Sequence, residues 1–224
     1  MKSRTLIILI LMLASCGFVS KAQDDELKLG VRMGHNASLG NFAAVSLETI
    51  QSFNGNFVIN GGVQYNTIGR TAVEARPAYT HDFEWGKLST EILLTYTKMT
   101  SVNNFAAGAG IGLDGKWVDV KLGYYYRLFG NRRNTIEEPF NIYYELCVNL
   151  LPMKEDWELD LFITNSETFE LERHYQPSFI AQCSYYPLQH LGFSAGIGCK
   201  PAGICHISAD YYQSFIKLGV CYRW

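Results

Sequence analysis

The sequence predicts an all-β fold, an antiparallel up-and-down β-barrel of about twelve strands, with ten as the alternative count. Three observations predict it. Apolar and polar residues alternate with period two through most of 26–224, turn-forming residues break the alternation at short intervals, and no period of 3.6 persists over a comparable window. With 224 residues the chain suits one domain, taken as 23–224 after a leader over 1–22. Charged residues make up 18% and aromatic residues 14%, which excludes a disordered or coiled-coil chain. A net charge of −2 gives no support to nucleic-acid binding.

The strands follow from the pattern in order. Apolar residues at alternate positions place strands near 27–35, 43–51, 56–67, 71–82, 88–99 and 104–113. The clearest is 117–128, with Val118, Val120, Leu122, Tyr124, Tyr126 and Leu128 on one face and Asp119, Lys121, Gly123, Tyr125 and Arg127 on the other. Segments 141–150 and 157–164 repeat this pattern, and further strands read as 168–186, 191–200 and 204–224. The last two long runs, 168–186 and 204–224, are hard to divide, which is why ten strands remains open. Asn54-Gly55, Trp85-Gly86-Lys87, Asp114-Gly115, Asn165-Ser166 and Pro201-Ala202-Gly203 mark the turns. Short connections imply antiparallel neighbours in a meander.

The faces then indicate which side is wet. Mixed charges on the polar faces suit a lumen, though a soluble sheet shows water the same face. Aromatics at the ends of apolar faces, Tyr65, Tyr79, Trp157, Tyr185, Tyr222 and Trp224, fit an interfacial girdle. The final run sets Ile216, Leu218, Val220, Tyr222 and Trp224 against Lys217, Gly219, Cys221 and Arg223. That ending resembles the assembly signal of Gram-negative outer-membrane β-barrels. With it, 26–224 resembles a small outer-membrane β-barrel protein, which implies a transmembrane barrel and the barrel-assembly machinery, outer-membrane lipid and lipopolysaccharide as partners. The longest outward loop then falls at Gly130 to Glu138, where Arg132 and Arg133 are candidate phosphate ligands.

Residues 1–22 read as a cleaved export signal: Lys2 and Arg4, an apolar run from Leu6 to Ala14, and Ser20-Lys21-Ala22 before the cut. The run is short of the roughly 20 residues of a spanning helix. Leu13-Ala14-Ser15-Cys16 offers a competing lipoprotein reading with Cys16 lipidated. Either route leads out of the cytoplasm.

Candidate lumen-facing residues are Arg32, Glu48, Glu74, Arg76, Glu91, Asp119, Lys121, Arg127, Glu145, Glu158, Asp160 and Glu172. They line either a narrow pore for small polar solutes or a packed network that plugs the barrel. Bulky Tyr125, Tyr143 and Phe162 on polar faces favour partial filling. Cys199 and Cys205 flank a turn and are a candidate disulfide, while Cys147 and Cys221 read as isolated thiols. No CxxC or HExxH spacing points to a metal, and no cofactor is expected.

Three functional classes stand. The first is a structural or channel-like outer-membrane barrel without catalysis. The second is an outer-membrane lipid- or peptide-hydrolysing enzyme, for which His35 with Asn36, His174 with Glu172, and Ser38 or Ser166 are the available groups. The third is a soluble secreted binding barrel, which requires Val118, Leu146, Leu159 and Leu218 to be buried inside.

Overall fold

The computed structural model describes residues 25–53, 56–99, 102–130, 134–152, 156–172, 176–201 and 211–224, with Tyr211 as backbone alone. Strands β1 (Glu26–Asn36), β2 (Gly40–Phe53), β3 (Phe57–Asn66), β4 (Thr71–Phe83) and β5 (Gly86–Lys98) come first. They are followed by β6 (Asn103–Asp114), β7 (Val118–Gly130), β8 (Thr135–Asn149) and β9 (Trp157–Thr164). Two short strands, β10 (Ser166–Glu167) and β11 (Glu170–Leu171), precede β12 (Ser178–Leu188), β13 (Leu191–Pro201) and β14 (Tyr211–Arg223). All except β10 and β11 form one closed antiparallel barrel of twelve strands, each beside its chain neighbour, with β1 paired to β14. The closing register runs from Glu26 opposite Arg223 to Asn36 opposite Gln213. Closure leaves the sheet no free long edge, the condition for strands to lie in hydrocarbon.

The alternation sorts side chains by solvent. Val118, Leu122, Leu146 and Leu218 are 42%, 53%, 37% and 48% exposed on the outer wall, so the inside-buried arrangement of a soluble barrel is not what the chain adopts. Inside, Arg32, Glu74, Arg76 and Glu91 are buried. Trp85, Trp117 and Trp157 are exposed near the end of the barrel that carries the termini, where Trp157 stacks on Tyr185 with centroids 4.4 Å apart. Tyr222 stacks on Trp224 at 6.0 Å on the same rim. Amphipathic aromatic rings favour that position because their polar atoms reach water while their faces stay in apolar surroundings.

Tyr125 and Tyr143 are fully buried inside the barrel. Their room comes from glycine: a Cβ on Gly123 would stand 2.3 Å from the Tyr143 ring, so only glycine fits beneath it. A bulge between β7 and β8 leaves Phe140 unpaired at φ 61, turned to the outside.

Two connections differ from the sequence pattern. The expected loop Gly130 to Glu138 is shorter, because β7 runs to Gly130 and β8 begins at Thr135, placing Glu137 and Glu138 in a strand. Residues 131–133, with Arg132 and Arg133, lie outside the described residues. The run 168–186 is not one strand. The chain leaves the wall after Thr164, makes the β10–β11 hairpin, and re-enters it at Ser178. Charged outward substitutions test the assignment of the faces. Leu122→Arg is expected to lower barrel stability by about 2–4 kcal/mol, read as a shift in urea-refolding midpoint in lipid vesicles. An outward face in water instead of lipid would leave the midpoint almost unchanged.

Candidate functional site

The inner hairpin makes the site. Asn165 starts it by standing in for a strand: its Nδ2 donates to the Ile142 carbonyl at 2.9 Å, and the Tyr144 N–H donates to its Oδ1 at 2.7 Å. These bonds satisfy part of the edge of β8 above the end of β9. Ser166 pairs with Leu171 and Glu167 with Glu170, leaving Thr168 and Phe169 as the tip. Phe169 is left-handed, at φ 67, a conformation that costs a non-glycine residue about 1–2 kcal/mol. Its surroundings hold it there. The Phe169 N–H donates to Glu74 Oε2 at 2.9 Å, its carbonyl accepts from Arg70 Nη2 at 2.7 Å, and its ring is buried over Gly62. A Cβ on Gly62 would stand 2.6 Å from the tip of that ring. Because β3 lies across the barrel from β9 and β12, the hairpin bridges the lumen from wall to wall.

Charge fixes the hairpin in place. Glu167 pairs with Arg32 at 3.3 Å, Lys200 at 3.3 Å and Lys217 at 2.6 Å, and accepts a bond from the Ser178 hydroxyl at 2.6 Å. Glu170 pairs with Arg32 at 3.0 Å, Arg70 at 3.2 Å and Lys200 at 2.5 Å. Burial alone raises the pKa of both carboxyls, but the surrounding cations, Arg32 foremost, outweigh it and hold both below the usual carboxylate range. Glu172 reaches Lys200 at 3.2 Å, and its carbonyl accepts from the Tyr125 hydroxyl at 2.9 Å. Arg127 Nη2 donates to the Leu171 carbonyl, and Arg76 Nη2 donates to Ser166 Oγ at 2.9 Å. The Arg32 guanidinium lies 3.6 Å from the Phe215 ring centroid, a cation–π contact that fixes its plane.

The residues selected from the sequence divide into groups. Arg32, Glu74, Arg76, Glu91 and Arg127 gather around the hairpin level. Arg76 Nε binds Glu74 at 2.7 Å, and Glu91 accepts from the Tyr143 hydroxyl at 2.9 Å. Lys121 bridges Glu91 and Glu145, 3.7 Å from each. Glu48 accepts from Ser46 at 3.1 Å on the inner wall. Asp119, Glu158 and Asp160 lie toward the terminal end, Asp119 accepting from the Gly115 N–H and Glu158 from the Tyr186 hydroxyl. Glu172 is not on a wall strand, as its place in the run 168–186 implied; it follows the hairpin inside the lumen, because the chain has already left the wall. Arg70, Glu167, Lys200 and Lys217 complete the network and are absent from the sequence-derived set. The clustering of three carboxylates over Glu167, Glu170 and Glu172 beyond a strand of eight residues is the signal for them.

The other candidates remain apart. His35 Nδ1 lies 2.9 Å from Asn41 Oδ1 at an exposed turn, Asn36 Oδ1 accepts from the Ser38 and Leu39 N–H groups, and Ser166 is engaged by Arg76. His174 and Cys205 lie outside the described residues; Cys199 is exposed on the outer face of β13. Among the described residues no group of His, Cys, Asp and Glu has the geometry of a metal site.

The hairpin divides the interior. Toward the far end lies a cavity of about 400 Å³, lined by Asn36, Asn66, Thr95, Thr97, Asn104 and Gln213 beside Phe169 and Leu171. Toward the terminal end lies one of about 380 Å³, lined by Lys28, Glu48, Gln64, Glu158, Asp160 and Tyr186. The terminal-end cavity has a mainly polar wall, while the far-end cavity mixes these polar groups with apolar Leu39, Phe42, Ile68 and Phe129.

No protein-family model matches the sequence, and no curated protein matches it. Solved structures do match the fold. A NanC porin superposes with a TM-score of 0.58 at 10% identity, over 89% of this chain and 100% of that one. A KdgM porin gives 0.57 at 14% identity, over 89% and 99%. The translocator domain of autotransporter NalP from Neisseria meningitidis gives 0.57 at 13% identity, over 99% and 96%. The chain therefore has the fold of outer-membrane β-barrels.

Proposed function

We propose that this protein is an outer-membrane β-barrel of a Gram-negative cell, exported by its 1–22 segment, that forms a narrow channel for small polar solutes. The observation that carries the reading is the polar interior divided by an ion-paired hairpin, within a wall whose outer face is apolar. An apolar outside and a charged inside suit a membrane and reverse what water requires. Twelve strands enclose more space than the side chains of an eight-stranded barrel fill, and less than the aqueous bore of a sixteen-stranded one. The hairpin occupies the middle of that space. Porins among the structural neighbours support the channel reading at the level of fold. Ile216, Leu218, Val220 and Tyr222 of the terminal run face outward on the closing strand, and the run to Trp224 serves, in this reading, as the signal for assembly.

The same hairpin favours a second reading, a closed barrel whose role is structural. Swelling of liposomes carrying the purified protein separates the two. Uptake of L-arabinose with exclusion of raffinose is expected of the narrow channel. Liposomes that stay sealed to arabinose would establish the structural barrel instead.

A further inference from the structure

Four cations of the inner wall, Arg32, Arg70, Lys200 and Lys217, have ion pairs among the described residues only with carboxylates of 167–172. They come from three adjacent strands, β13, β14 and β1, and from the turn before β4, so they line one half of the barrel wall beside the hairpin instead of lying along one strand. This side of the wall is thus a cationic arc, and its counter-ions are carried in by the chain itself. We infer that this arc is a binding site for small organic dianions, which Glu167 and Glu170 occupy as a tethered ligand. The inference deepens the channel reading by naming the class of solute that the constriction recognises.

The geometry specifies the ligand. Both carboxylates touch the same two groups, Arg32 Nη1 at 3.3 and 3.0 Å and Lys200 Nζ at 3.3 and 2.5 Å. A dicarboxylate whose two groups lie close enough to share these cations reproduces the arrangement, and a monocarboxylate fills half of it. Unused donors remain: Arg32 Nε and Nη2 are buried and have no hydrogen-bond partner among the described residues. A buried guanidinium with free N–H groups retains capacity for a further anionic oxygen. The Ser178 hydroxyl, 2.6 Å from Glu167, adds a neutral donor to the same site. While the hairpin is docked, its carboxylates compete with an entering anion, so the site both recognises and restrains its solute.

The test is electrophysiological. Glu167→Gln/Glu170→Gln protein, shown to be folded by a heat-shifted band on a gel, is compared with wild type in planar bilayers under a potassium chloride gradient. The reversal potential is expected to move toward chloride, with larger conductance. Succinate is expected to reduce that current at about a tenfold lower concentration than acetate at matched ionic strength, because two linked carboxylates engage the site together. A folded variant that stays unselective, or that responds to succinate and acetate alike, overturns the site. If the double variant does not fold, wild-type channels decide: succinate entry slower than that of a neutral solute of the same size supports the site, and equal entry overturns it. Sealed wild-type liposomes together with an anion-selective double variant would refute the channel reading while leaving the site standing.

Discussion

Excising residues 166–171 and joining the ends with two glycines is expected to raise single-channel conductance several-fold in planar bilayers. The expectation follows from where the hairpin sits. Its tip reaches the Gly62 side of the barrel, and its bonds run to β1, β4, β7, β13 and β14, so it is tied across the lumen. The two cavities, about 400 and 380 Å³, are then expected to merge into one continuous bore. Asn165 is left in place because its side chain satisfies the backbone of β8 at Ile142 and Tyr144. Conductance equal to wild type, in protein that still shows a heat-shifted band, would mean that the hairpin does not define the constriction.

A second large effect is expected at Arg76. Its guanidinium is buried between Glu74 at 2.7 Å and Glu91 at 3.9 Å, and its Nη2 also donates to Ser166. Arg76→Ala leaves two carboxylates without their central cation and removes one anchor of the hairpin. Breaking a buried pair by removing one partner costs about 3–5 kcal/mol, and the lower end applies here because the lumen admits water. Urea unfolding from lipid vesicles reads the loss as a lower midpoint. Glu74→Gln/Arg76→Met, which removes a charge of each sign, is expected to recover part of it. If the double variant is as unstable as Arg76→Ala, shape and hydrogen bonding, and not charge balance, govern this position.

The barrel was legible in the sequence because two solvents wrote it there. Val118 to Tyr126 alternates strictly since lipid meets one face and the polar lumen the other, and the same holds for Ile216 to Tyr222. The hairpin was not legible, for a related reason. Phe169 and Leu171 alternate with Glu170 and Glu172, which imitates a wall strand. Yet here the apolar pair packs inside the lumen, Phe169 over Gly62 and Leu171 against the cluster of Leu93, Tyr125 and Tyr143. Period two reports that a segment has two different faces; it does not report whether the segment lies in the wall. Length carries the missing information. At eight residues β9 is shorter than the roughly 9–11 of a tilted transmembrane strand, so a turn inward after Thr164 becomes the natural reading.

The site was half legible. Arg32, Glu74, Arg76, Glu91 and Arg127 stand out as charges on otherwise alternating strands. Lys200 sits beside a proline at a strand end and Arg70 in a turn, where a charge is ordinarily solvated. Only the inward hairpin, bringing Glu167 and Glu170 to them, turns Lys200 into a buried group and Arg70 into a half-buried one, each with specific partners. Tyr143 is a different case. A bulky residue on a polar face signals filling, and Gly123 and Gly110 opposite it supply the space, but the pairing of the three depends on register.

The most direct test of the account is fractionation of the mature protein, followed by a gel comparing unheated and boiled samples in detergent. Closed strand pairing with an apolar outer wall predicts sedimentation with outer membranes and a folded band that shifts on boiling. Recovery as a soluble protein without a heat shift would contradict it, since a wall exposing Leu122, Leu218 and Ile197 to water is not one that a soluble barrel sustains.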